Sequence, residues 1–367
     1  MAKTYRVAVI GHTGRGDYGH GLDEVWLEVP NAEIVAVADA DKPGLAKAAK
    51  KLKVDRAYAD YRQMLERERP EIVSIAPRWI DEHHAMALAA AEHGCHIYIE
   101  KPFCRTLVEA DDIIRTCEMR HTKLAISHQT RYSPRIAAAK ELIAGGKLGT
   151  VLEYRGRGKE DRRGGAEDLW VLGTHIMDLI RVFGGNPDWC FGSVTQDGRP
   201  IARGDIVEGA EGLGPLAGDQ VRAMYGMPKG ATAYFASSRN VAAKTPRFGL
   251  QIFGSAGTLE IITGHMDTMW YLPDGGWSPG RSGAVWQPVT SAGLNQPEPI
   301  KDRGLHGGNL LAVSDLLASI EEDRLPLGNM YEARAAMEMI LAVFESQRVG
   351  KPVDLPLATR AHPLTLL

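Results

Sequence analysis

The order of hydrophobic and polar positions changes near residue 125. Up to that point, short runs of apolar and β-branched residues alternate with segments in which apolar residues recur at helical spacing. This alternation is typical of a parallel sheet with helices on both faces. The strands it predicts include residues 6–10, 33–38, 71–76 and 96–99.

Beyond about residue 150, apolar runs follow one another without intervening helical segments. They cover residues 151–155, 191–195, 220–225, 231–238, 248–253 and 258–262, and two helices, 309–322 and 331–348, close the chain. Such a succession favours a mainly antiparallel sheet. We therefore predict an α/β plus α+β protein: a doubly wound Rossmann domain over residues 1–125, and a second domain over 126–367 built on a large, open, mainly antiparallel sheet. The stretches 197–218 and 273–299, rich in glycine and proline, are predicted to be surface loops.

Composition narrows the classes of partner. The chain has 367 residues, 44% of them hydrophobic and 24% charged, and a net charge of -3. These values predict two globular domains and favour neither nucleic acid nor an anionic membrane as partner. No signal peptide or membrane span is expected. The four cysteines lack C-x-x-C spacing, which predicts reduced thiols, a cytoplasmic location and no metal centre.

A glycine-rich turn follows the first predicted strand. Gly11 and Gly16 fit the first and third glycines of G-x-G-x-x-G, whereas Thr13 takes the middle place with Gly14 beside it. Small residues let the backbone approach a pyrophosphate at a helix N-terminus, so we expect a dinucleotide phosphate site here. An ordinary glycine turn is the alternative. The helix predicted to follow would place four apolar residues toward the core: Leu22, Val25, Trp26 and Val29.

Asp39 ends the second predicted strand. An acidic residue at this place can accept hydrogen bonds from both ribose hydroxyls and repel a 2′-phosphate, which favours NAD over NADP. Arg15, in the glycine turn, is also assigned to the cofactor site. Because Arg15 and Lys42 bring positive charge nearby, NADP remains possible.

The strand at 96–99 ends in Glu100-Lys101-Pro102. Open parallel sheets bind ligands at the carboxyl ends of their strands, so Lys101 is a candidate functional residue. The alternative is that Lys-Pro merely marks a strand leaving the sheet. Cys104 lies near enough to be considered as a nucleophile, but no positioned base can be named for it.

A predicted helix ending at Gly184 carries His175 and Asp178. At positions i and i+3, the two side chains share one face. A packed histidine beside a surface carboxylate is the alternative explanation. A metal site is not favoured, because the spacing nominates no third ligand.

Together these residues resemble the glucose-fructose oxidoreductase, inositol dehydrogenase and rhizopine-catabolism (Gfo/Idh/MocA) family over nearly the whole chain. Glu100-Lys101-Pro102 with a His-x-x-Asp some 70 residues later is the specific combination. The other matching motifs are the glycine turn, Tyr58-Ala59-Asp60-Tyr61, His83, Gly94, His96, Arg131-Tyr132-Ser133-Pro134, Gly146-Lys147-Leu148-Gly149, Phe253-Gly254-Ser255-Ala256-Gly257-Thr258-Leu259 and Gly350-Lys351-Pro352-Val353.

The resemblance implies a nicotinamide-dependent dehydrogenase or reductase that acts on a sugar, a polyol or a related compound. Lys101 would bind the reacting hydroxyl, and His175 would be the general base in oxidation and the general acid in reduction. A homodimer or homotetramer formed through the second-domain sheet is also implied. The residues expected on the cofactor side are Pro77, His83, Glu100, Lys101 and Pro102. The substrate-side candidates, chosen by position, are Arg162, Arg163, Asp168 and Trp170, although the two arginines can equally belong to a solvated loop.

One position departs from the family pattern. Many redox-active members have an aspartate four residues before the histidine, where this chain has Val171. Asp178 or Asp168 can take its place as the partner of the imidazole. Two other functions therefore stay open: a glycoside hydrolase or lyase that retains NAD and oxidises its substrate transiently, and a redox-silent sugar-binding protein.

Overall fold

The computed structural model describes residues 3–367, and the statements below refer to this part of the chain. It consists of two compact units. The first contains the described residues up to Gln129, with Gly209–Gly214 and Leu305–Arg334; the second contains Thr130–Glu208, Pro215–Gly304 and Ala335–Leu367. The first unit therefore also includes two later segments that the sequence-based division placed in the second domain.

The first unit is built on a parallel sheet in the order β3-β2-β1-β4-β5-β6. This order places the carboxyl ends of β1 and β4 side by side at the point where the connections change direction. The predicted Rossmann sheet is confirmed. Its strands are β1 (Tyr5–Ile10), β2 (Ala32–Ala38), β3 (Ala57–Tyr58), β4 (Ile72–Ile75), β5 (His96–Ile99) and β6 (Leu124–Ile126).

The helices of this sheet begin where the sequence places capping residues. Asp41 accepts a hydrogen bond from the Gly44 amide at 2.7 Å, and Thr106 accepts one from the Glu109 amide at 3.2 Å. Such caps satisfy amide donors that lack partners within the helix. Glu109 itself accepts from the Arg105 amide. The helices are α1 (Lys42–Leu52), α2 (Tyr61–Glu68), α3 (His83–Glu92) and α4 (Leu107–Arg120).

The prediction of a helix directly after β1 is wrong. In the described chain, turns fill the connection to β2, with one short 3-10 helix at Val25–Glu28. Left-handed backbone conformations recur along this loop and interrupt a right-handed helix; they occur at Gly14, Gly16, Asp17, Gly19 and Gly21. The apolar residues predicted to face the core are nevertheless buried: Leu22, Val25, Trp26 and Val29.

The second unit contains the predicted large sheet, in the order β18-β17-β16-β15-β14-β7-β13-β12-β8-β19, with β9 paired to β8. Its pairings are antiparallel except that of β7 with β13, so the mainly antiparallel sheet is confirmed. Its strands are β7 (Val151–Arg157), β8 (Trp189–Gln196), β9 (Arg199–Pro200), β12 (Gln220–Gly226), β13 (Thr232–Ser238), β14 (Gly249–Gly254), β15 (Thr258–Ile262), β16 (Met269–Leu272), β17 (Gln287–Thr290), β18 (Gly293–Leu294) and β19 (Val353–Asp354).

Side chains alternate between the two faces of this sheet, as strand geometry requires. In β12, Val221 and Tyr225 are buried, whereas Arg222 is exposed. In β13, Phe235 is buried and Tyr234 is exposed. One face therefore packs into the unit, and the other carries polar and aromatic side chains.

Helices and short strands complete the chain. Stretch 197–218, predicted to be a loop, includes the paired strands β10 (Val207–Gly209) and β11 (Gly214–Leu216). Stretch 273–299 includes β17, β18 and a single-turn helix. The helices are α5 (Pro134–Ala144), α6 (Ala166–Val171), α7 (Gly173–Gly184), α8 (Pro279–Ser282), α9 (Gly304–Glu321) and α10 (Met330–Val349). Across residues 3–367, none of the helices is long and apolar enough to cross a membrane.

Candidate functional site

The glycine turn closes on itself beyond β1. The His12 amide donates to the Asp17 carbonyl at 3.1 Å, and the Asp17 amide donates back at 3.0 Å. The Gly14 amide donates to the Asp17 carboxylate at 3.0 Å, and the Arg15 amide donates to the His12 carbonyl at 3.0 Å. The amides expected to meet a pyrophosphate therefore have acceptors within the turn, and the expected helix N-terminus is absent here.

Asp39 holds this turn against the end of β2. Its carboxylate accepts from the Thr13 amide at 3.1 Å, from the Thr13 hydroxyl at 2.6 Å and from the Tyr18 hydroxyl at 2.9 Å. Burial, reinforced by the Asp39 charge, raises the pKa of Tyr18, so the phenol remains a donor. Asp39 therefore organises this loop, and its predicted role at a ribose stays a prediction.

A cavity of about 210 Å³ lies beside these residues in the first unit. Gly11, Asp39 and the β3–α2 connection line it. The carboxyl ends of β1 and β2 meet there, which is where a Rossmann sheet holds the adenosine half of a dinucleotide. Asp39 is only 2% exposed, and its carboxylate also accepts from the Asp41 amide at 3.0 Å, so its predicted contact with an adenine ribose stays a prediction. When bound, a nicotinamide dinucleotide would supply hydride acceptance and donation.

Two glycines of the turn are fixed by close contacts. A Cβ on Gly11 would lie 2.2 Å from the Tyr18 ring, and one on Gly16 would lie 2.5 Å from the amide nitrogens of Arg78 and Trp79. Gly14 has open space around it. Internal packing therefore accounts for Gly11 and Gly16, and the predicted approach of a ligand to this turn stays a prediction.

Arg15 lies over the Trp79 ring, with its guanidinium carbon 4.7 Å from the ring centre. It also pairs with Asp81, which precedes α3. Both contacts join the glycine turn to the segment after β4. The predicted cofactor role of Arg15 stays a prediction.

At the end of β5, Glu100 is fully buried. Its carboxylate accepts from the Lys101 amide at 3.0 Å and faces the His20 Nδ1 atom at 3.1 Å. Burial raises the pKa of Glu100, but the charges of His20, Lys101 and His83 outweigh this effect and keep the pKa below its usual range. The site therefore holds a buried carboxylate in its ionised form.

Lys101 is 5% exposed. Its amide also donates to the Ser127 hydroxyl at 3.1 Å, just beyond β6. The Lys101–Pro102 peptide bond is cis. The backbone of Lys101 is thus anchored to two neighbouring strand ends, the rigid placement expected of a functional lysine.

His83 joins the two loops that carry the predicted prolines. Its Nε2 atom lies 2.7 Å from the Pro77 carbonyl, and its Nδ1 atom lies 2.9 Å from the Pro102 carbonyl. The imidazole is fully buried. The predicted group Pro77, His83, Glu100 and Pro102 is therefore brought together at the ends of β4 and β5.

The nucleophile hypothesis for Cys104 is not supported. The thiol is buried and donates to the Thr106 carbonyl at 3.5 Å. Burial, reinforced by the nearby Glu109 charge, raises the pKa of Cys104 well above its ordinary value. A buried, protonated thiol is a poor nucleophile.

In the second unit, α7 carries both members of the His-x-x-Asp motif. His175 is half-buried, whereas Asp178 is buried. Arg131 grips Asp178 through its Nε atom at 3.0 and 3.1 Å and through Nη2 at 2.6 Å. This buried, two-point ion pair makes Asp178 an anchor for α7. The alternative interpretation, in which Asp178 is a carboxylate on the surface, is therefore wrong.

Asp168 and Trp170, predicted on the substrate side, both lie in the core. Asp168 accepts from the Ser237 hydroxyl at 2.5 Å and from the Glu160 amide at 3.0 Å. Burial raises its pKa against the opposing effect of these bonds. Trp170 is fully buried and stacks on His362 with ring centres 6.1 Å apart. Apolar residues flank both of them in the sequence. The segment folds as α6, and both side chains point into the core.

The two arginines of the preceding turn differ. Arg162 is exposed, whereas Arg163 is half-buried and pairs with Asp161 at 2.8 Å. The hydrogen bonds from Arg163 lower the pKa of Asp161 to about 2 despite some burial. Arg163 therefore stabilises its own turn, and Arg162 is the member that faces solvent.

Sequence reasoning missed several residues of the first site. His20 and Tyr18 lie in a loop predicted to be a helix, and Asn309 comes from α9. The Asn309 side chain accepts from the Tyr98 hydroxyl at 2.8 Å and donates to the His20 carbonyl at 2.9 Å. No local pattern marks partners so far apart in the chain.

Two family models match this chain. Residues 5–128 match a model described as "Oxidoreductase family, NAD-binding Rossmann fold", and residues 136–260 match one described as "GFO/IDH/MocA C-terminal domain". Together they span more than half of the chain. The NAD prediction is thereby confirmed at the level of the domain type.

Three known proteins illustrate the similarity. The chain is 28% identical to D-apiose dehydrogenase of Paraburkholderia graminis over 53% of its own length and 52% of the relative's. It is 25% identical to levoglucosan dehydrogenase of Pseudarthrobacter phenanthrenivorans, over 61% and 63%. It is 35% identical to glycosyl hydrolase family 109 protein 1 of Bacteroides thetaiotaomicron, over 30% and 25%. The matched stretches thus span less than two thirds of each relative.

A solved structure of levoglucosan dehydrogenase in complex with NADH has the same fold. Its TM-score is 0.77 at 21% identity, over 97% of this chain and all of that one. Both the Rossmann sheet and the large sheet are included in this superposition. The two family models, which together match more than half of the chain, show that it belongs to the Gfo/Idh/MocA oxidoreductase family.

Proposed function

We propose that this protein is an NAD-dependent dehydrogenase that oxidises a hydroxyl group of a sugar or polyol. The observation that carries the proposal is the end of β5, where Lys101 is anchored by Glu100 and Ser127 in a domain of the NAD-binding type. Sugar dehydrogenases among its relatives support the substrate class.

The chain's own residues would share the work as follows. The Lys101 ammonium would donate a hydrogen bond to the reacting oxygen and stabilise the negative charge that develops on it. His175 would accept the hydroxyl proton in oxidation and return it in reduction. Residues around the 210 Å³ cavity, including Asp39, would hold the adenosine half of NAD.

A screen of sugars, sugar acids and polyols with NAD and NADP, monitored by the absorbance of reduced nicotinamide, tests this proposal. For the best substrate, Lys101→Ala and His175→Ala are each expected to lower turnover by about 100-fold or more. NAD binding, measured by calorimetry, should change little. Full turnover in both variants contradicts the assignment.

A redox-neutral reaction on a glycoside is the second candidate. Val171, the position that departs from the expected family pattern, is buried, and a glycosyl hydrolase is among the similar proteins. This candidate predicts purified protein with stoichiometric bound cofactor, and glycoside turnover without net formation of reduced nicotinamide. Ligand-dependent thermal stabilisation without any turnover would instead indicate a sugar-binding protein.

We also propose that the protein forms a homodimer or homotetramer through the outward face of the large sheet. This face carries Phe191, 41% exposed, and Tyr234, 37% exposed, next to charged side chains. Exposed aromatics are enriched at protein interfaces. Light scattering of the wild type and of Tyr234→Glu measures the assembly. A cytoplasmic location remains a prediction.

A further inference from the structure

Asp39, the acid at the end of β2, is engaged by the protein itself. Its carboxylate accepts hydrogen bonds from the Thr13 amide and hydroxyl, from the Tyr18 hydroxyl and from the Asp41 amide. These donors match the roughly four acceptor sites that a carboxylate offers. Recognition of the adenosine half of NAD therefore requires further residues around the 210 Å³ cavity.

Arg62 lines this cavity from the first turn of α2. Its amide donates to the capping Asp60 carboxylate at 2.9 Å, so the backbone is fixed there. The side chain is exposed, and its guanidinium carbon lies 4.5 Å from the ring centre of Tyr61, which also lines the cavity. Across residues 3–367, the Arg62 guanidinium forms no ion pair with a carboxylate. A planar cation is therefore held beside the cavity by an aromatic ring.

The charges around the cavity favour a base rather than a phosphate next to Arg62. Three carboxylates line the same cavity, those of Asp39, Asp60 and Glu82. Their combined negative charge opposes a 2′-phosphate at short range. A guanidinium stacks on aromatic rings as readily as it pairs with anions. The adenine ring is therefore the part of the dinucleotide that suits Arg62.

We propose that Arg62 is the adenine-binding residue of the cofactor site, an inference that rests on the proposed use of NAD. The guanidinium covers one face of the adenine ring, and the Tyr61 ring supports the guanidinium from behind. Stacking of this kind depends on the planar shape of the arginine side chain, whereas attraction of a phosphate depends only on its positive charge. The two explanations therefore predict different effects of substitution by lysine.

Two substitutions separate stacking from charge. Arg62→Lys keeps the positive charge but loses the planar group, and Arg62→Ala removes both. Neither alters the helix cap, because Asp60 binds the Arg62 amide and not its side chain. The matched control is Arg67→Ala: Arg67 is also an exposed arginine of α2, but it is not among the residues that line the cavity.

ADP-ribose, which contains the adenosine half of the cofactor without the nicotinamide, is the most direct probe. Calorimetry is expected to show that Arg62→Ala and Arg62→Lys each bind ADP-ribose about 10-fold more weakly than the wild type. NADH and NADPH should lose affinity by the same factor, because both contain adenine. Arg67→Ala should bind all three compounds as the wild type does. Since Arg62 is exposed, the thermal midpoints without ligand should be unchanged.

Three results overturn the inference. Wild-type affinity for ADP-ribose in Arg62→Ala shows that the side chain does not contact the base. Wild-type affinity in Arg62→Lys shows that charge alone is needed. A loss confined to NADPH assigns Arg62 to a 2′-phosphate instead. Because all of these measurements concern binding, they test the inference even if the wild type oxidises no compound of the screen, an outcome that refutes only the proposed function.

Discussion

At the scale of single residues, buried carboxylates hold the glycine turn, the end of β5 and helix α7 in place. Asp39 fastens the glycine turn, Glu100 joins Lys101 to His20, and Asp178 is gripped by Arg131. A buried charge is tolerated only where several donors compensate it. Each carboxylate therefore fixes the positions of its donors, and one of these donors, Lys101, is proposed to act on the substrate.

The pair of Arg131 and Asp178 gives a prediction for stability. Arg131→Met leaves the carboxylate of Asp178 buried without its guanidinium partner, which is expected to lower the free energy of unfolding by about 3–5 kcal/mol. Urea denaturation followed by circular dichroism measures this loss.

The control for that experiment is Arg199→Met. Arg199 makes a similar two-point contact with Asp205 at 2.7 Å, but its side chain is 55% exposed. Solvent screens such a pair, so little change is expected. Equal losses in the two variants would show that burial is not what makes the Arg131 pair important.

At the scale of elements, local patterns predicted most of the strands and helices. β15 was predicted at its observed bounds, and α10 to within one residue at each end. Alternation and helical spacing are local properties, which is why they succeed here. The loop after β1 could not be predicted in the same way, since its buried Leu22 and Trp26 also satisfy helical spacing.

The contacts of that loop explain the other omissions. His20 and Glu100 are 80 positions apart, and Asn309 lies 289 positions from His20. Neither separation leaves a periodic trace in the sequence. The place of Lys101 at the end of β5 was predictable because a strand end is itself a local signal, whereas the position of His20 depends on the path of a loop.

The glycine turn offers a test at this scale. Gly16→Ala would place a Cβ 2.5 Å from backbone nitrogens of the segment after β4, at a φ of 89°. Because backbone cannot move aside as a flexible side chain can, we expect a loss of about 3 kcal/mol or more in unfolding free energy.

Gly14→Ala is the matched control. Gly14 has a φ of 81° but open space around its Cβ position, so only the conformational cost of about 1 kcal/mol applies. Chemical denaturation of both variants gives the difference. Equal stabilities would indicate that the turn moves away from the β4 segment at little cost.

At the scale of the whole molecule, each unit contains a histidine that burial keeps neutral. Burial lowers the pKa of His362 to about 4; burial, together with the charges of Lys123 and Lys3, lowers the pKa of His96 to about 4. Unfolded histidine titrates near 6.5. As the pH falls from about 6.5 to 4, the unfolded chain binds protons that the folded chain excludes, so stability decreases across that window.

We predict that His362→Asn reduces this acid sensitivity. His362 contributes about 3 kcal/mol to the free energy of unfolding above pH 6.5, and this contribution is lost by about pH 4. In the wild type, the Leu364 amide donates a hydrogen bond to His362 Nδ1 at 3.3 Å, and asparagine keeps an acceptor for this amide. Urea denaturation at pH 7.5 and at pH 4.5 measures the change. A pH dependence as steep as that of the wild type would assign the sensitivity to other groups.

Net oxidation of a sugar or polyol by NAD is tested most directly by following the hydride. The best substrate of the screen, deuterated at the reacting carbon, is incubated with the protein and NAD, and the released cofactor is analysed by mass spectrometry. We predict one deuterium in the reduced nicotinamide for each substrate oxidised, with about 100-fold slower formation in Lys101→Ala. Product formation without deuterium in released cofactor would contradict the assignment and indicate a redox-neutral reaction.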